Sequence, residues 1–513
     1  MSEKVLDTEN EPKQTEDLIA ETSRSIRINE KPELSAPSQW NLSCLLIKSA
    51  APTLVQLVSQ TVAFSTILYF LSLKNDPKLL ASFGLASTIY VITFFSIVVA
   101  LDSGLAILGS QAYGAKNFAL LGLYYKKGLI IGVLTLCPMA VLFIFSGQIL
   151  ILCRFEEELS HGIQKVLLVT LPSALGMVYF DVAKNYLIAQ KTFVPQGYIQ
   201  IIMTVIDITC QYLTMYHFDL KIVGYGISRF INEWGRALLI YLYIRFSKKC
   251  QESQVPWSFE CFRGILKQYK YQITAGGTVI IEILAIQIII LQTAYFSSEE
   301  IAAGLIFQRI GSLFFNVVWS FNIALSSFIG NSMGEQNIVR AKALFRLGLK
   351  FTAIMTITTW IILKCYSDSI LKWFSQDQLV IKPARQLIIL YYMLCVSDFT
   401  QNVLGCTVRS IGKEKVISKS FFFTYYFFAF PVSLLMAHVL KWKLLGLFGA
   451  LGLAQIVNCT ICTVILLKVD FQEQAQFIVN RVKQNSVSSF NKFESKELTE
   501  EAAPETSPRK SAI

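Results

Sequence analysis

The sequence predicts an all-α polytopic membrane protein with twelve transmembrane helices in two six-helix lobes. Three observations lead to this fold class. Apolar runs of about 20 residues, long enough to span the hydrocarbon core of a bilayer, follow one another along the chain. Charged residues make up only 16% of the chain, whereas soluble domains carry about a quarter. A short motif recurs at nearly half the chain length, which indicates a duplicated unit.

The apolar runs set the expected positions of the helices. A transmembrane β-barrel would instead show alternating segments of roughly ten residues. The runs lie near residues 44–72, 80–108, 124–152, 164–189, 194–216, 222–245, 272–296, 302–328, 345–368, 384–408, 416–440 and 443–469.

These runs divide the chain into five segments. We expect an N-terminal lobe over 44–245 and a C-terminal lobe over 272–469, joined by a linker at 246–271. The tails, 1–43 and 470–513, are rich in Glu, Lys, Ser and Pro and lack apolar runs. That composition is typical of disorder.

Basic residues indicate the orientation. Arg and Lys crowd the linker and the loops after the second, eighth and tenth spans, which all lie on one side if the spans alternate. Loops rich in Lys and Arg stay in the cytoplasm, so both termini are expected there, in the plasma membrane or in a vacuolar or other internal membrane. The loop before the tenth span, with Lys372, Lys382 and Arg385, departs from this pattern. The placement of the net charge of +11 in these loops argues against a nucleic-acid partner.

The repeated motif follows the second and eighth spans. SQAYGAKN (Ser110–Asn117) corresponds to GNSMGEQN (Gly330–Asn337), and Gly114 and Gly334 are 334 − 114 = 220 residues apart. Halves with an even number of spans insert in the same direction and are related by an axis along the membrane normal. We expect both glycines at helix ends, where a positive φ costs glycine little.

Amide side chains accompany the glycines of both motifs. Gln111 stands three residues before Gly114, and Asn331 stands three residues before Gly334. Helix ends leave backbone groups without an intrahelical partner. We expect both amides to cap such groups, which is a structural role and not substrate binding.

Four segments resemble signatures of the multidrug and toxin extrusion (MATE) family, in particular its eukaryotic branch. They are LDSGLAILGSQAYGAKN, YLIAQKTFVPQ, SSFIGNSMGEQNIVRAKA and DFTQNVLGCTVRSIGKEK. The last holds Asp398, Gln401, Arg409 and Gly412 in the family's places. The resemblance covers 44–469 and implies a V-shaped, two-lobed exporter. Such exporters exchange protons or sodium for drug-like, often cationic compounds.

Carboxylates inside the predicted spans are the candidates for transport chemistry, because a charge at the bilayer centre costs about 2.5–3.5 kcal/mol. Glu282 has no basic residue within a helical turn, and Asp398 stands in the apolar tenth span. The resemblance places both in one cavity of the C-terminal lobe. It also points to position 287, where relatives often carry a second Glu and this chain has Gln287. Together with Gln401, these are the predicted proton- or substrate-binding residues.

Acidic residues of the N-terminal lobe are secondary candidates. Asp207 has no basic partner nearby in the sequence, whereas Asp181 can pair with Lys184 one turn away. Glu233 is flanked by arginines at i−4 and i+3, which favours an ion pair over transport chemistry. The first span has no acid in QTVAFSTILYF, so a cation site of the kind used by one bacterial branch is not expected.

Aromatic residues could line a cation site. Trp319 and Tyr391 are candidates through cation–π contacts, with simple packing or lipid contact as the alternative. We expect the run FFFTYYFFAFP (Phe421–Pro431) to face lipid.

The sequence thus predicts a secondary active exporter that antiports organic, mainly cationic, xenobiotics or metabolites against protons. Sodium is the alternative coupling ion, and no cofactor or metal is expected. The chain has no G-x-x-x-x-G-K-[ST] motif for direct use of ATP, and its three His are far apart, which argues against an enzyme. The expected partners are a small organic substrate and the lipid bilayer, and we expect a monomer. A lipid-linked-precursor flippase of related architecture, or a channel or receptor, is the alternative.

Overall fold

The computed structural model describes residues 39–73, 76–374 and 377–490. Over these residues the predicted all-α fold is confirmed, since the chain forms helices and no strand. Disorder was predicted for the tails 1–43 and 470–513, and this prediction is wrong for residues 39–43 and 471–490, which are helical. Residues 1–38 and 491–513 of the tails lie outside the described residues.

Twelve long helices follow one another and correspond to the predicted spans. They are α1 (Gln39–Ser72), α2 (Lys78–Gly114), α3 (Phe118–Ile144), α4 (Glu157–Ala189), α5 (Val194–His217), α6 (Lys221–Phe246), α7 (Ile265–Leu291), α8 (Glu299–Gly334), α9 (Ile338–Phe374), α10 (Gln378–Ser410), α11 (Glu414–Val439) and α12 (Lys443–Lys468). Among the described residues, eleven of them are long and apolar enough to cross a membrane. The exception is α6, which carries Arg229, Glu233 and Arg236 in its middle.

Several helices differ in length from the apolar runs that predicted them. Helix α9 extends from Ile338 to Phe374, beyond the predicted 345–368, because polar turns outside the apolar run remain helical. Helix α3 ends at Ile144, and a separate short helix, Ser146–Leu152, occupies the rest of the third predicted span.

The helices pack as two lobes, α1–α6 and α7–α12. Within the first, α4 packs on α6 and α1 on α5. Within the second, α10 packs on α8 and α12. The lobes meet where α2 contacts α7 and α8, and where α8 contacts α1. A buried apolar core forms inside each lobe, and a third core joins α1 to α8 across the boundary.

The two copies of the repeated motif lie at the boundary between the lobes, at one end of the molecule that we call the motif end. A Cβ atom at Gly114 would overlap the carbonyl oxygen of Asn331, and one at Gly334 would overlap the carbonyl oxygen of Gln111. Only glycine lets the backbones of α2 and α8 approach this closely. The motif therefore forms a contact between the lobes.

The turn after each motif glycine is made by a different residue. Lys116 and Gln336 are the left-handed residues, with φ of 56° and 57°. The prediction of positive φ at Gly114 and Gly334 is wrong, because both glycines are the last residues of helices. They are required by the close approach of the helices and not by the turn.

Gln111 and Asn331 donate hydrogen bonds across the lobe boundary. Gln111 Nε2 donates to the carbonyl oxygen of Ser410, the last residue of α10, over 2.9 Å. Asn331 Nδ2 donates to the carbonyl oxygen of Ala189, the last residue of α4, over 3.2 Å. The last carbonyls of a helix have no intrahelical partner. Each lobe therefore caps a helix end of the other.

One more helix, α13 (Phe471–Phe490), crosses the motif end and packs against α2, α3, α8 and α9. Its buried apolar residues recur every three or four positions, as on one face of an amphipathic helix; they are Phe471, Ala475, Ile478 and Val482. Arg481 Nη1 pairs with Glu414 Oε1 over 3.2 Å. The prediction of a disordered tail over 470–513 missed this helix, because its many polar residues conceal the apolar stripe.

We predict that Gly114→Ala and Gly334→Ala each destabilise the protein by about 1–3 kcal/mol, as overpacking does in a closely packed interior. Thermal unfolding of the purified full chain in detergent would measure this as a lower unfolding temperature.

Gly84→Ala is the matched control, since a Cβ atom there meets nothing within 4 Å. Alanine in an open helical position gains about 0.5–1 kcal/mol, so this variant should keep or raise the unfolding temperature. Equal unfolding temperatures for Gly114→Ala and the wild type would contradict the close approach of α2 and α8.

Candidate functional site

Four helices of the C-terminal lobe bring polar side chains together around Glu282. Glu282 lies on α7, and its Oε1 accepts hydrogen bonds from Gln401 Nε2 of α10 at 2.8 Å and from the Tyr425 hydroxyl of α11 at 3.2 Å. Asn458 Nδ2 of α12 donates to Gln401 Oε1 over 3.2 Å. The carboxylate is thereby held by neutral donors only.

Asp398 lies on the same helix as Gln401, three residues earlier, so the two side chains share a face of α10. Its Oδ1 accepts hydrogen bonds from Gln455 Nε2 of α12 at 3.0 Å and from Asn402 Nδ2 at 3.4 Å. Gln455 Oε1 in turn accepts from the Ser397 hydroxyl over 3.1 Å. Amide side chains of α10 and α12 thus orient the second carboxylate.

Within the part of the chain that the structure describes, neither carboxylate forms an ion pair. Across residues 39–73, 76–374 and 377–490, no Lys, Arg or His lies within ion-pair distance of Glu282 or Asp398. Arg409 lies two turns along α10 from Gln401, but its Nη1 donates to Thr278 Oγ1 over 2.6 Å. We name this set, Glu282, Asp398, Gln401, Tyr425, Gln455 and Asn458, the C-lobe cluster.

Three acidic residues of the N-terminal lobe were considered from the sequence, and two of them have basic partners. Asp181 Oδ1 pairs with Lys184 Nζ over 2.6 Å. Glu233 pairs with Arg229 at 3.1 Å through one oxygen and with Arg236 through the other. These ion pairs agree with what the sequence spacing favoured.

Asp207 is the third of these candidates. Its side chain on α5 is only 2% exposed, and its Oδ1 has no hydrogen-bond partner within the described part of the chain. It lies in the other lobe from the C-lobe cluster, so the structure does not bring it to Glu282 or Asp398.

Three other predicted site residues lie outside the hydrogen-bonded cluster. Gln287 of α7 makes no side-chain hydrogen bond to any residue that the structure describes. Tyr391 is buried, meets Phe307 edge-on at 5.6 Å between ring centroids, and donates to the Gly311 carbonyl oxygen over 3.4 Å. Trp319 stacks on a neighbouring phenylalanine of α8 at 5.7 Å. Both aromatic residues therefore have packing contacts.

Gly412 follows the helix that carries much of the cluster. It stands two residues after the end of α10 with φ of 90°, a left-handed conformation that favours glycine. Arg409 lies in the last turn of α10, between Gly412 and the cluster residues of that helix along the chain.

Three residues of the cluster were missed in the sequence: Tyr425, Gln455 and Asn458. Tyr425 belongs to the run expected to face lipid, and that expectation is wrong for this residue, which is 1% exposed. Phe423 and Phe427 do point outward. Phe421, Tyr425 and Ala429 recur every four positions on the buried face. This helical period was the signal that could have identified Tyr425.

The C-lobe cluster can hold a proton or a cation. Amide and phenol groups both donate and accept hydrogen bonds, so they can surround a carboxyl group in either charge state. Among the described residues, no group of three or more His, Cys, Asp or Glu could hold a metal ion.

Comparisons with known proteins agree with this architecture. The MatE family model matches residues 52–213 and 275–435, one stretch in each lobe and more than half of the chain in total. Multidrug and toxin extrusion protein 1 of Mus musculus is 24% identical over 421 residues, which cover 82% of this chain and 73% of the mouse protein. An uncharacterised transporter of Schizosaccharomyces pombe, C4B3.13, is 23% identical over 458 residues, 88% of this chain and 83% of its own.

Solved structures have the same fold. The eukaryotic MATE transporter AtDTX14 superimposes with a TM-score of 0.81 at 20% identity, over 86% of this chain and 99% of its own. A mutant of the MATE transporter VcmN from Vibrio cholerae gives a TM-score of 0.75 at 17% identity, over 85% and 99% of the two chains. With the family model matching both lobes and the repeated motifs meeting at their boundary, the chain belongs to the MATE family of multi-pass membrane transporters and is of the eukaryotic type.

Proposed function

We propose that this transporter exports organic cations in exchange for protons at the C-lobe cluster. One observation carries the proposal: Glu282 and Asp398 are held by neutral side chains and have no basic partner among the described residues. A carboxylate within a membrane protein needs a counter-charge, and removal of its partner is costly. The cluster is therefore suited to hold either a proton or a cationic substrate, one at a time.

The exchange follows from this competition. On the more acidic side, a proton binds Glu282 or Asp398 and removes the charge that held the cationic substrate, which then leaves. On the other side the proton dissociates, and the carboxylate can bind the next cation. Protonation of one oxygen leaves the hydrogen bonds of Gln401 and Gln455 in place, because amides can serve both states of the carboxyl group.

The arrangement of the lobes supports alternating access. They pack closely at the motif end, through the glycine contacts of α2 and α8, and also along α2 and α7, where a Cβ atom at Gly276 would overlap the carbonyl oxygen of Ala100. Towards the other end, a cleft of about 460 Å³ lies between α1 and the helices α8 and α9. Repeat lobes of this kind alternate by rocking about a site between or within them. We place the motif end in the cytoplasm, where the basic loops lie.

The proton gradient is sufficient for concentration of substrate. One pH unit supplies about 1.4 kcal/mol per proton, which supports roughly a tenfold substrate gradient in an electroneutral exchange. Gln287 does not titrate, so Glu282 and Asp398 are the two proton sites that we assign.

We predict that Glu282→Gln and Asp398→Asn abolish proton-driven accumulation. The test uses the full chain in proteoliposomes with an imposed difference of about one pH unit and a fluorescent organic cation. Wild-type vesicles should accumulate the cation about tenfold and lose it when the gradient is collapsed. Both variants should equilibrate the cation without accumulation, because the amide cannot exchange a proton.

Asp368→Asn serves as the control, since Asp368 forms an exposed pair with Arg385 at 2.7 Å and exposed pairs contribute little. It should transport like the wild type. If wild-type accumulation survives collapse of the pH gradient but requires sodium, the coupling ion is wrong. If both C-lobe variants accumulate the cation normally, the site is wrong.

We also predict that Tyr425→Phe slows exchange by about tenfold or more, because a hydrogen bond to a charged group contributes about 1.5–3 kcal/mol. Initial rates of cation uptake under the same gradient would measure the loss.

Tyr426→Phe is the matched control, because Tyr426 lies next in the chain and packs on Phe422 without a side-chain hydrogen bond to a described residue. Its uptake rate should equal that of the wild type. Equal losses in the two variants would mean that the Tyr425 hydroxyl has no special role at Glu282.

A further inference from the structure

Arg309 is a charged residue inside a predicted membrane span that the proposed exchange does not use. It lies ten residues into α8, which begins at Glu299. Across the described ranges 39–73, 76–374 and 377–490, no carboxylate forms an ion pair with it. An arginine costs about 2.5–3.5 kcal/mol at the centre of a membrane helix, and such residues are found facing cavities, where they mark ligand paths.

Arg309 faces the cleft of about 460 Å³ between the lobes. Helix α1 contributes hydroxyl-bearing side chains to one wall, namely Thr61, Ser65, Thr66 and Tyr69. The opposite wall holds apolar and aromatic side chains of α8 and α9; they include Leu313, Trp373 and Phe374. The cleft thus combines hydroxyl groups, an aromatic surface and the guanidinium of Arg309.

The aliphatic hydroxyl groups of α1 are acceptors towards the cleft and not donors. Thr61 and Thr66 donate their hydroxyl hydrogens to the carbonyl oxygens of Leu57 and Val62, over 3.0 and 2.9 Å. Ser65 donates to the carbonyl oxygen of Thr61 over 2.8 Å. Only their lone pairs remain for a ligand. Tyr69 and Trp373 add one neutral donor each, and Arg309, with five N–H donors, is the cationic group in the lining of the cleft that can bind an anion.

We infer that the Arg309 cleft binds the acidic group of an amphipathic organic anion or zwitterion. A carboxylate or sulfonate matches the planar fork of guanidinium donors. An amino or hydroxyl group of the same ligand would donate to Thr61 and Ser65. An aromatic body would pack on Trp373, whose side chain is 83% exposed.

This site extends the substrate range beyond the cations expected at the C-lobe cluster. The cluster is negative and Arg309 is positive, and the residues that line the cleft include none of the cluster. A zwitterion could be recognised by both in succession. The inference rests on the proposed export only in that the bound anion would be a transported substrate. Binding itself requires no proton exchange.

Equilibrium binding tests the site without any gradient. The full chain is placed in nanodiscs of phosphatidylcholine, and the fluorescence of an aminonaphthalene sulfonate is titrated against empty nanodiscs. Arg309→Gln should weaken binding about tenfold or more, the expected loss of a charge-assisted hydrogen-bonded pair. Arg309→Lys should recover part of the affinity, since it keeps the charge and loses the fork.

Two controls show whether Arg309 recognises the sulfonate group or whether its substitution weakens ligand binding in general. Arg385→Gln removes the same charge from an exposed ion pair outside the cleft and should leave sulfonate binding unchanged. A naphthyl trimethylammonium ion, with a similar aromatic body and opposite charge, should bind Arg309→Gln no more weakly than the wild type. Unchanged sulfonate affinity in Arg309→Gln, or an equal loss for both probes, overturns the inference.

An anionic lipid head group offers the same chemistry as a soluble anion. Nanodiscs that contain phosphatidylglycerol distinguish the two sources. If this lipid weakens sulfonate binding to the wild type but not the residual binding to Arg309→Gln, the head group occupies the cleft. If it has no effect while the Arg309 dependence remains, the site takes soluble anions. Glu282→Gln should bind the sulfonate normally in either case, so failure of the proton exchange would leave this result intact.

Discussion

A charge inside a membrane-spanning helix is costly unless a partner compensates it, and the two lobes respond to this constraint differently. The N-terminal lobe meets it with permanent partners, such as Lys184 for Asp181 and two arginines for Glu233. The C-terminal lobe leaves Glu282 and Asp398 among amides and a phenol. One duplicated architecture thereby contains a lobe with two ion-paired acids, Asp181 and Glu233, and another in which Glu282 and Asp398 have no ion-pair partner among the described residues.

The duplication explains the framework but not the chemistry. Motif glycines of both halves let α2 and α8 touch backbone to backbone at the motif end. Helix α13 adds an apolar face to the same region and reaches both lobes. The lobes are therefore joined at this end and along α2 and α7, whereas the cleft at Arg309 separates α1 from α8 and α9. The two lobes are therefore in contact at the motif end and separated by the cleft towards the other end.

Much of the fold was readable in the sequence, because each span must be apolar over its own length. The candidate carboxylates were readable too, since an unpaired acid such as Glu282 stands out in an apolar run. The role of Tyr425 could not be predicted, because a continuous run of aromatic residues does not show which face of the helix is buried. The roles of Gly114 and Asn331 were also hidden, since their partners lie far away in the chain, and local spacing carries no information about such contacts. Helix α13 was concealed by its polar majority.

The exchanged caps tie the two halves together as a reciprocal pair. Gln111 and Asn331 stand at equivalent positions of the repeat, and each satisfies the end of a helix that belongs to the other half. A six-helix half on its own would have no amide to cap the end of its fourth helix. Its own motif amide would have no helix end to cap. Two identical halves facing each other would supply both. The reciprocal caps are therefore the kind of contact that joins two subunits of a dimer, here made within a single chain. If the halves of this protein were expressed separately, they could form these caps only by assembling with each other.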